Sequence, residues 1–147
     1  MNLDKTDERI LKNLMVDARL SARQMAIKLG ISTVTVLSRI KKLEKEKIIQ
    51  RYTAIVDHEK LGYSLTAIIE IVAKNDKIVD IEEEISKFEN VCAVYDITGS
   101  TDTIIIAKFR GRNDLSKFVK DLAAISNIKN TITHVVLNTT KEDFRLT

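Results

Sequence analysis

Between Ser21 and Arg51 the chain carries eight cations, at Arg23, Lys28, Arg39, Lys41, Lys42, Lys45, Lys47 and Arg51, opposed only by Glu44 and Glu46. Cations at that density neutralise phosphates. Just ahead of most of them stand Thr33, Val34, Thr35 and Ser38, which are small, hydroxylic or apolar. Hydroxyls bond to base edges of any type, and a branched apolar group suits a thymine methyl. The pattern assigns base reading to Thr33, Val34, Thr35 and Ser38. It assigns phosphate contacts to Arg39, Lys41 and Lys42, with Arg23 and Arg51 beside them. Arg39 lies toward the side of its helix, so an ion pair with a neighbouring carboxylate is its alternative role.

Catalytic and metal chemistry are not legible. Cys92 is the only cysteine and suits a packed strand position; His58 and His134 are the only histidines. No Ser/His/Asp set, H-E-x-x-H motif, cysteine pair or phosphate-binding glycine loop occurs, and no metal or cofactor is expected.

Short helices must hold these groups. Asp4 can cap a first helix with Asp7 in its first turn, and Ile10, Leu11, Leu14 and Met15 give it an apolar stripe. Ser21 and Gln24 form a capping box for a second helix, buried through Met25, Ala26 and Leu29 and ended by Gly30. Ser32 caps a third, buried through Val36, Ile40 and Leu43. At about 100° per residue, its opposite face carries Val34, Thr35, Ser38, Lys41, Lys42 and Lys45. Two helices joined by a tight turn, the second with a cationic outer face, are the layout of a helix-turn-helix that enters the DNA major groove.

Charge agrees with this division. Residues 1–62 hold 13 Lys or Arg against 8 Asp or Glu, and residues 63–147 hold 11 against 13. The positive excess is concentrated where a polyanion would bind. With 44% apolar and 31% charged residues the chain has the composition of a globular protein. No apolar run approaches the roughly 20 residues that span a bilayer. The N-terminus lacks the plan of a secretory signal, so no membrane association and a cytoplasmic location are the default expectations.

Residues 49–62, containing I-Q-R-Y-T-A-I-V, read as a hinge strand and connection. From residue 63 the types alternate. Strands are expected at Ser64–Lys74, Val91–Thr98, Thr103–Arg110 and Thr131–Thr139. One helix is marked by Ile78, Ile81, Ile85 and Phe88, another by Leu115, Phe118, Val119, Leu122 and Ile125. The order is βαββαβ, the ferredoxin-like pattern of a four-stranded antiparallel sheet with both helices on one face. The other face carries Ile68, Val72, Ile104 and Ile106. A lone strand with unpaired edges and a sheet apolar on both sides each favour a second copy, hence a homodimer.

Over essentially its whole length the chain resembles the leucine-responsive regulator/AsnC family of transcription regulators. The resemblance rests on L-D-K-T-D-E-R-I-L at 3–11, D-A-R-L-S at 17–21, L-G-I-S-T-V-T-V-L-S-R-I-K-K-L-E at 29–44, I-I-Q-R-Y-T-A-I-V-D at 48–57 and T-G-S-T-D at 98–102. It implies an α+β protein: a winged-type helix-turn-helix domain over 1–48, a hinge strand over 49–62, and a ferredoxin-like ligand-sensing and oligomerisation domain over 63–147. It also implies assembly beyond the dimer, often to octamers, and a small effector such as an amino acid. The family's G-x-x-D turn is matched by Gly99 and Asp102, and its last-strand positions by Thr131, Thr133 and His134. Asp102 would pair with an ammonium group, while Ser100, Thr101, Thr131 and Thr133 would hold a carboxylate. Alternatively, G-S-T-D is only a hairpin turn. Lys47 and Arg51 stand where many relatives have glycine. The competing readings are a tetrapyrrole decarboxylase of the same architecture and a sensing module without DNA binding.

Overall fold

The first helix begins just after Asp4, whose backbone is extended: its carboxylate accepts the amides of Thr6 and Asp7, and the Asp7 carboxylate accepts the Asp4 amide. The computed structural model describes residues 3–74 and 78–146. They fall into two units, Met1–Ile55 with Glu142–Thr147, and Val56–Lys141. The tail from Glu142 groups with the helical unit, where the Arg145 guanidinium donates to the Met15 carbonyl.

The first unit holds α1 (Lys5–Val16), α2 (Ala22–Leu29) and α3 (Thr33–Lys45). Each start matches its sequence signal: the reciprocal Ser21–Gln24 box opens α2, and the Ser32 hydroxyl accepts the Thr35 amide at the head of α3. Ile10, Met25, Ala26, Leu29, Val36 and Leu43 close into one core. Gly30 ends α2 in the left-handed region, φ 70°, and lets the amide of Ile31 return to the Ala26 carbonyl. Lys47 does the same after α3. Its φ of 56° is the only positive value at a described non-glycine residue, and the Ile48 and Ile49 amides both return to the Leu43 carbonyl. The glycine missing there costs backbone strain; the turn forms regardless.

Residues 50–57, expected as a hinge strand, enter no ladder with any described residue. Among the described residues no other strand precedes residue 65. A strand is defined by its partner, and one chain supplies none here.

The second unit orders its elements β1 (Leu65–Ala73), α4 (Ile78–Ile85), β2 (Val91–Asp96), β3 (Thr103–Phe109), α5 (Arg112–Ala124) and β4 (Ile128–Val135). The side chain of Ile78, expected in the apolar stripe of α4, lies outside the described residues. The sheet is antiparallel in the order β2-β3-β1-β4, with the central pair in register from Leu65↔Phe109 to Ile71↔Thr103. Ala67, Ile69 and Ile71 alternate onto one face with Ile105, Ala107 and Phe109. Ile81 and Ile85 of α4 and Phe118 and Leu122 of α5 cover that face. β4 starts three residues before the expected Thr131, because pairing of Asn130 with Val72 and of Ile128 with Ala73 outweighs the poor strand propensity of Lys129 and Asn130.

Two stability outcomes follow. Ile105→Ala, at a position with no solvent exposure, should lower the unfolding free energy of the second unit by about 2–5 kcal/mol in urea titration. Lys47→Gly should raise that of the helical unit by about 1 kcal/mol, the relief of about 1–2 kcal/mol of left-handed strain less the greater freedom of glycine in the unfolded chain.

Candidate nucleic-acid interface and sensor turn

The α3 helix is amphipathic in three sectors. Val36 and Leu43 are fully buried. Thr33, Val34, Leu37, Ser38, Lys41, Glu44 and Lys45 are exposed. Between them lies a flank of half-buried Thr35, Arg39 and Lys42. Most of that flank is engaged within the unit.

Arg39 donates to the carboxylates of both Asp4 and Asp7, the second at 3.1 Å. Lys42 Nζ lies 3.5 Å from the other oxygen of Asp7. Asp7 itself has no solvent exposure, so α1 presents a buried charge that α3 must neutralise. The Asp4 carboxyl is held below its ordinary range by the Asp7 amide first and the Arg39 guanidinium next. Of the two roles open to Arg39, the geometry supplies the ion pair. The Thr35 hydroxyl is likewise within 2.8 Å of the Ser32 hydroxyl at the cap. Ser38 donates to the Thr35 carbonyl and stays exposed.

The outward groups are therefore Thr33, Val34, Leu37, Ser38, Lys41 and Lys45, with Arg23 on α2 and Arg51 also exposed. Leu37 is the residue that sequence periodicity missed. A leucine three residues after Val34 reads as core by type, yet Val36, Ile40 and Leu43 already fill the inner stripe. Only its angular position, midway between Thr33 and Lys41, could have placed it outside. Near the end of the helix the Tyr52 hydroxyl donates to Glu44 at 2.9 Å, which ties the segment after α3 to the helix.

The turn of the second unit joins β2 to β3. Its ends close through the Ile97 amide and Asp102 carbonyl, and the Asp102 amide bonds to Ile71. The Asp102 carboxylate accepts the Ala73 amide at 2.7 Å, so it is already a fixture of the sheet. Gly99 has φ 135° and Ser100 is exposed, whereas Thr101 is buried. Thr131 and Thr133 pair opposite Ile71 and Ile69, which puts Thr131 beside the same end of β1 as the turn. His134 does not join them. It pairs opposite Ile68, on the other face, with Nε2 2.9 Å from Glu70 Oε1. Strand alternation separates it from Thr133, although the two are adjacent in sequence. Among the described residues no group of three or more His, Cys, Asp or Glu side chains is arranged to hold a metal, and no helix is long and apolar enough to cross a membrane.

Known proteins match both units. Residues 3–44 fit the AsnC-type helix-turn-helix domain, and residues 66–146 the Lrp/AsnC ligand binding domain. An uncharacterised HTH-type transcriptional regulator of Pyrococcus furiosus is 48% identical over 146 residues, covering 99% of each chain. The HTH-type transcriptional regulator FL11 of Pyrococcus abyssi is 34% identical over 146 residues, covering 99% of this chain and 97% of that one. A transcriptional regulator of Neisseria meningitidis, solved in complex with L-Met, superposes with a TM-score of 0.90 at 29% identity, over 99% of this chain and 97% of that one. AsnC of E. coli does so with a TM-score of 0.90 at 26% identity, over 97% of each.

Two outcomes test the bracing of α3. Asp7→Ala should destabilise the helical unit by about 1–3 kcal/mol in thermal or urea unfolding, the value of the charged hydrogen bonds that its buried carboxylate makes. Partial burial, then the hydrogen bond and charge of Glu44, push the Tyr52 hydroxyl up from 10.0 to about 12. A pKa raised on folding gives stability that is complete below the unfolded value and lost as pH rises through the folded one. The contribution of Tyr52 should thus disappear between pH 10 and about 12. Ultraviolet titration of the tyrosinate should show Glu44→Gln lowering that midpoint.

Proposed function

The chain belongs to the Lrp/AsnC family of helix-turn-helix transcription regulators, and we propose that it works as a homodimer whose two α3 helices enter successive major grooves. The grooves would lie about one helical turn, roughly 34–36 Å, apart. The observation that carries this reading is the three-sector division of α3. Asp4 and Asp7 of α1 hold its flank, its inner stripe is core, and its outer arc offers Thr33, Val34 and Ser38 to bases and Lys41 and Lys45 to phosphates. Arg23 and Arg51 add phosphate contacts at the margins. Arg39 and Lys42 act mainly by fixing the helix. This reading assigns the chain no catalytic step.

The dimer is supported by what the single chain leaves uncovered. Ile68, Val72, Ile104 and Ile106 are half-exposed on the face of the sheet away from its helices, with Tyr95 and Ile132 more exposed. Residues 50–57 form no ladder with any described residue. A second copy satisfies both needs, and further assembly of dimers, such as to an octamer, would extend the same reading.

The effector would be an amino acid, as in the L-Met complex of the Neisseria relative. It would meet Gly99, Ser100 and the adjoining Thr131 at the turn. The Asp102 oxygen not used by the Ala73 amide would face the ammonium group. Thr101, Thr133 and His134 are less suited: the first is buried, and the last lies on the opposite face.

In salt-titrated binding to duplexes selected from a random pool, Lys41→Ala and Lys45→Ala should each weaken all sequences alike. Each should lower the slope of log K against log salt by about one. Unchanged slopes would remove these lysines from the interface. Light scattering on the purified protein should give at least twice the chain mass of 16.7 kDa, and a mass of one chain would refute the dimer. Calorimetric titration with L-methionine and the other amino acids should find a binder whose heat is lost in Ser100→Pro.

A further inference from the structure

Two large apolar side chains stand in the middle of the arc that faces DNA: Val34 is 75% exposed and Leu37 54% exposed. They are three residues apart on one helix, hence neighbours on its surface. Each could have been polar at no cost to the fold, because neither is among the packed residues of the helical core. Around them the arc is polar, with Thr33, Ser38, Lys41 and Lys45. A stripe made only for phosphates would not include them.

The DNA major groove has one apolar group at base-pair level, the C5 methyl of thymine. Resting on the reading of α3 as the recognition helix, we propose that Val34 and Leu37 form a pair that recognises thymine methyls on neighbouring base pairs. Three residues advance an α-helix by about 4.5 Å. Base pairs repeat about every 3.4 Å. The two tips therefore span one to two base steps, so the site carries two thymines adjacent or one pair apart, on either strand. The flanking hydroxyls of Thr33 and Ser38 accept any base and leave the pair to supply the discrimination, and Lys41 anchors the helix on phosphate without reading sequence.

Replacing thymine by deoxyuridine removes that methyl and nothing else. Full-length protein would be titrated by fluorescence anisotropy against duplexes it selects from a random pool, with each thymine exchanged in turn. Wild type should lose about fourfold in affinity at each of two neighbouring positions, the value of one buried carbon group. Leu37→Ala should become indifferent to the exchange at one of them, and Val34→Ala at the other. Both variants should keep the wild-type salt slope, since no charge changes. Alanine is favourable on an exposed helix surface, and thermal unfolding by circular dichroism confirms that each variant folds. Indifference of the wild type to deoxyuridine at every position would overturn the proposal while leaving DNA binding intact. So would full sensitivity retained by both variants. Absence of any salt-dependent, selectable duplex would instead overturn the recognition-helix reading, and this inference with it.

Discussion

One buried carboxylate organises the helical unit. Asp7 has no solvent exposure, and a charge in that position is tolerated only with partners on every side. It finds them in the Asp4 amide at its own helix start and in Arg39 and Lys42 on α3. The consequence is orientational. Two of the cations that could have faced outward are turned to the flank, and their bonds fix the rotation of α3 about its own axis. Val34, Leu37, Ser38, Lys41 and Lys45 are left as the outer arc. Removing the charge pair would leave the hydrophobic contacts of Val36 and Leu43, which hold the helix in place but specify its rotation less sharply.

A comparable economy holds in the second unit. Its core is built entirely on one side of the sheet, through Ala67, Ile69, Ile71, Ile105, Ala107 and Phe109 under α4 and α5. The alternation that buries these residues necessarily sends Ile68, Ile104 and Ile106 the other way. The Asp102 carboxylate then ties the β2–β3 turn to the last residue of β1. That bond gives the turn a fixed shape, and it makes Asp102 structural before it is anything else.

Local signals carried far in this chain because they are chemical rather than statistical. Asp4, Ser21 and Ser32 cap the helices they were expected to cap, and Gly30 takes the left-handed backbone that ends α2. The alternating stripe of β1 falls on the core face. The βαββαβ order appears as a four-stranded antiparallel sheet, and the family resemblance is borne out over both units. Propensity misled where long-range pairing opposed it. Lys129 and Asn130 read as a loop, but β1 draws them into β4. Periodicity places Leu37 on no face, and with Val36, Ile40 and Leu43 filling the inner stripe it lies exposed. Lys47 lacks the freedom of glycine, and the two amides returning to Leu43 hold it in the left-handed region nonetheless.

What the sequence by itself determined is whatever depends on residues within a turn or two of one another: where helices start and stop, which stripe is apolar, which strands alternate, and where positive charge collects. These rest on local backbone geometry and on periodicity, both of which are read along the chain. Only the tertiary structure decided which cations are free and which are bound, because Asp7 meets Arg39 and Lys42 across more than thirty residues. It also decided that Asp102 answers to Ala73, and that Thr133 and His134 lie on opposite faces of one strand with Glu70 beside the histidine. A side chain's partner is set by packing between distant segments, and the residue type alone does not carry that information.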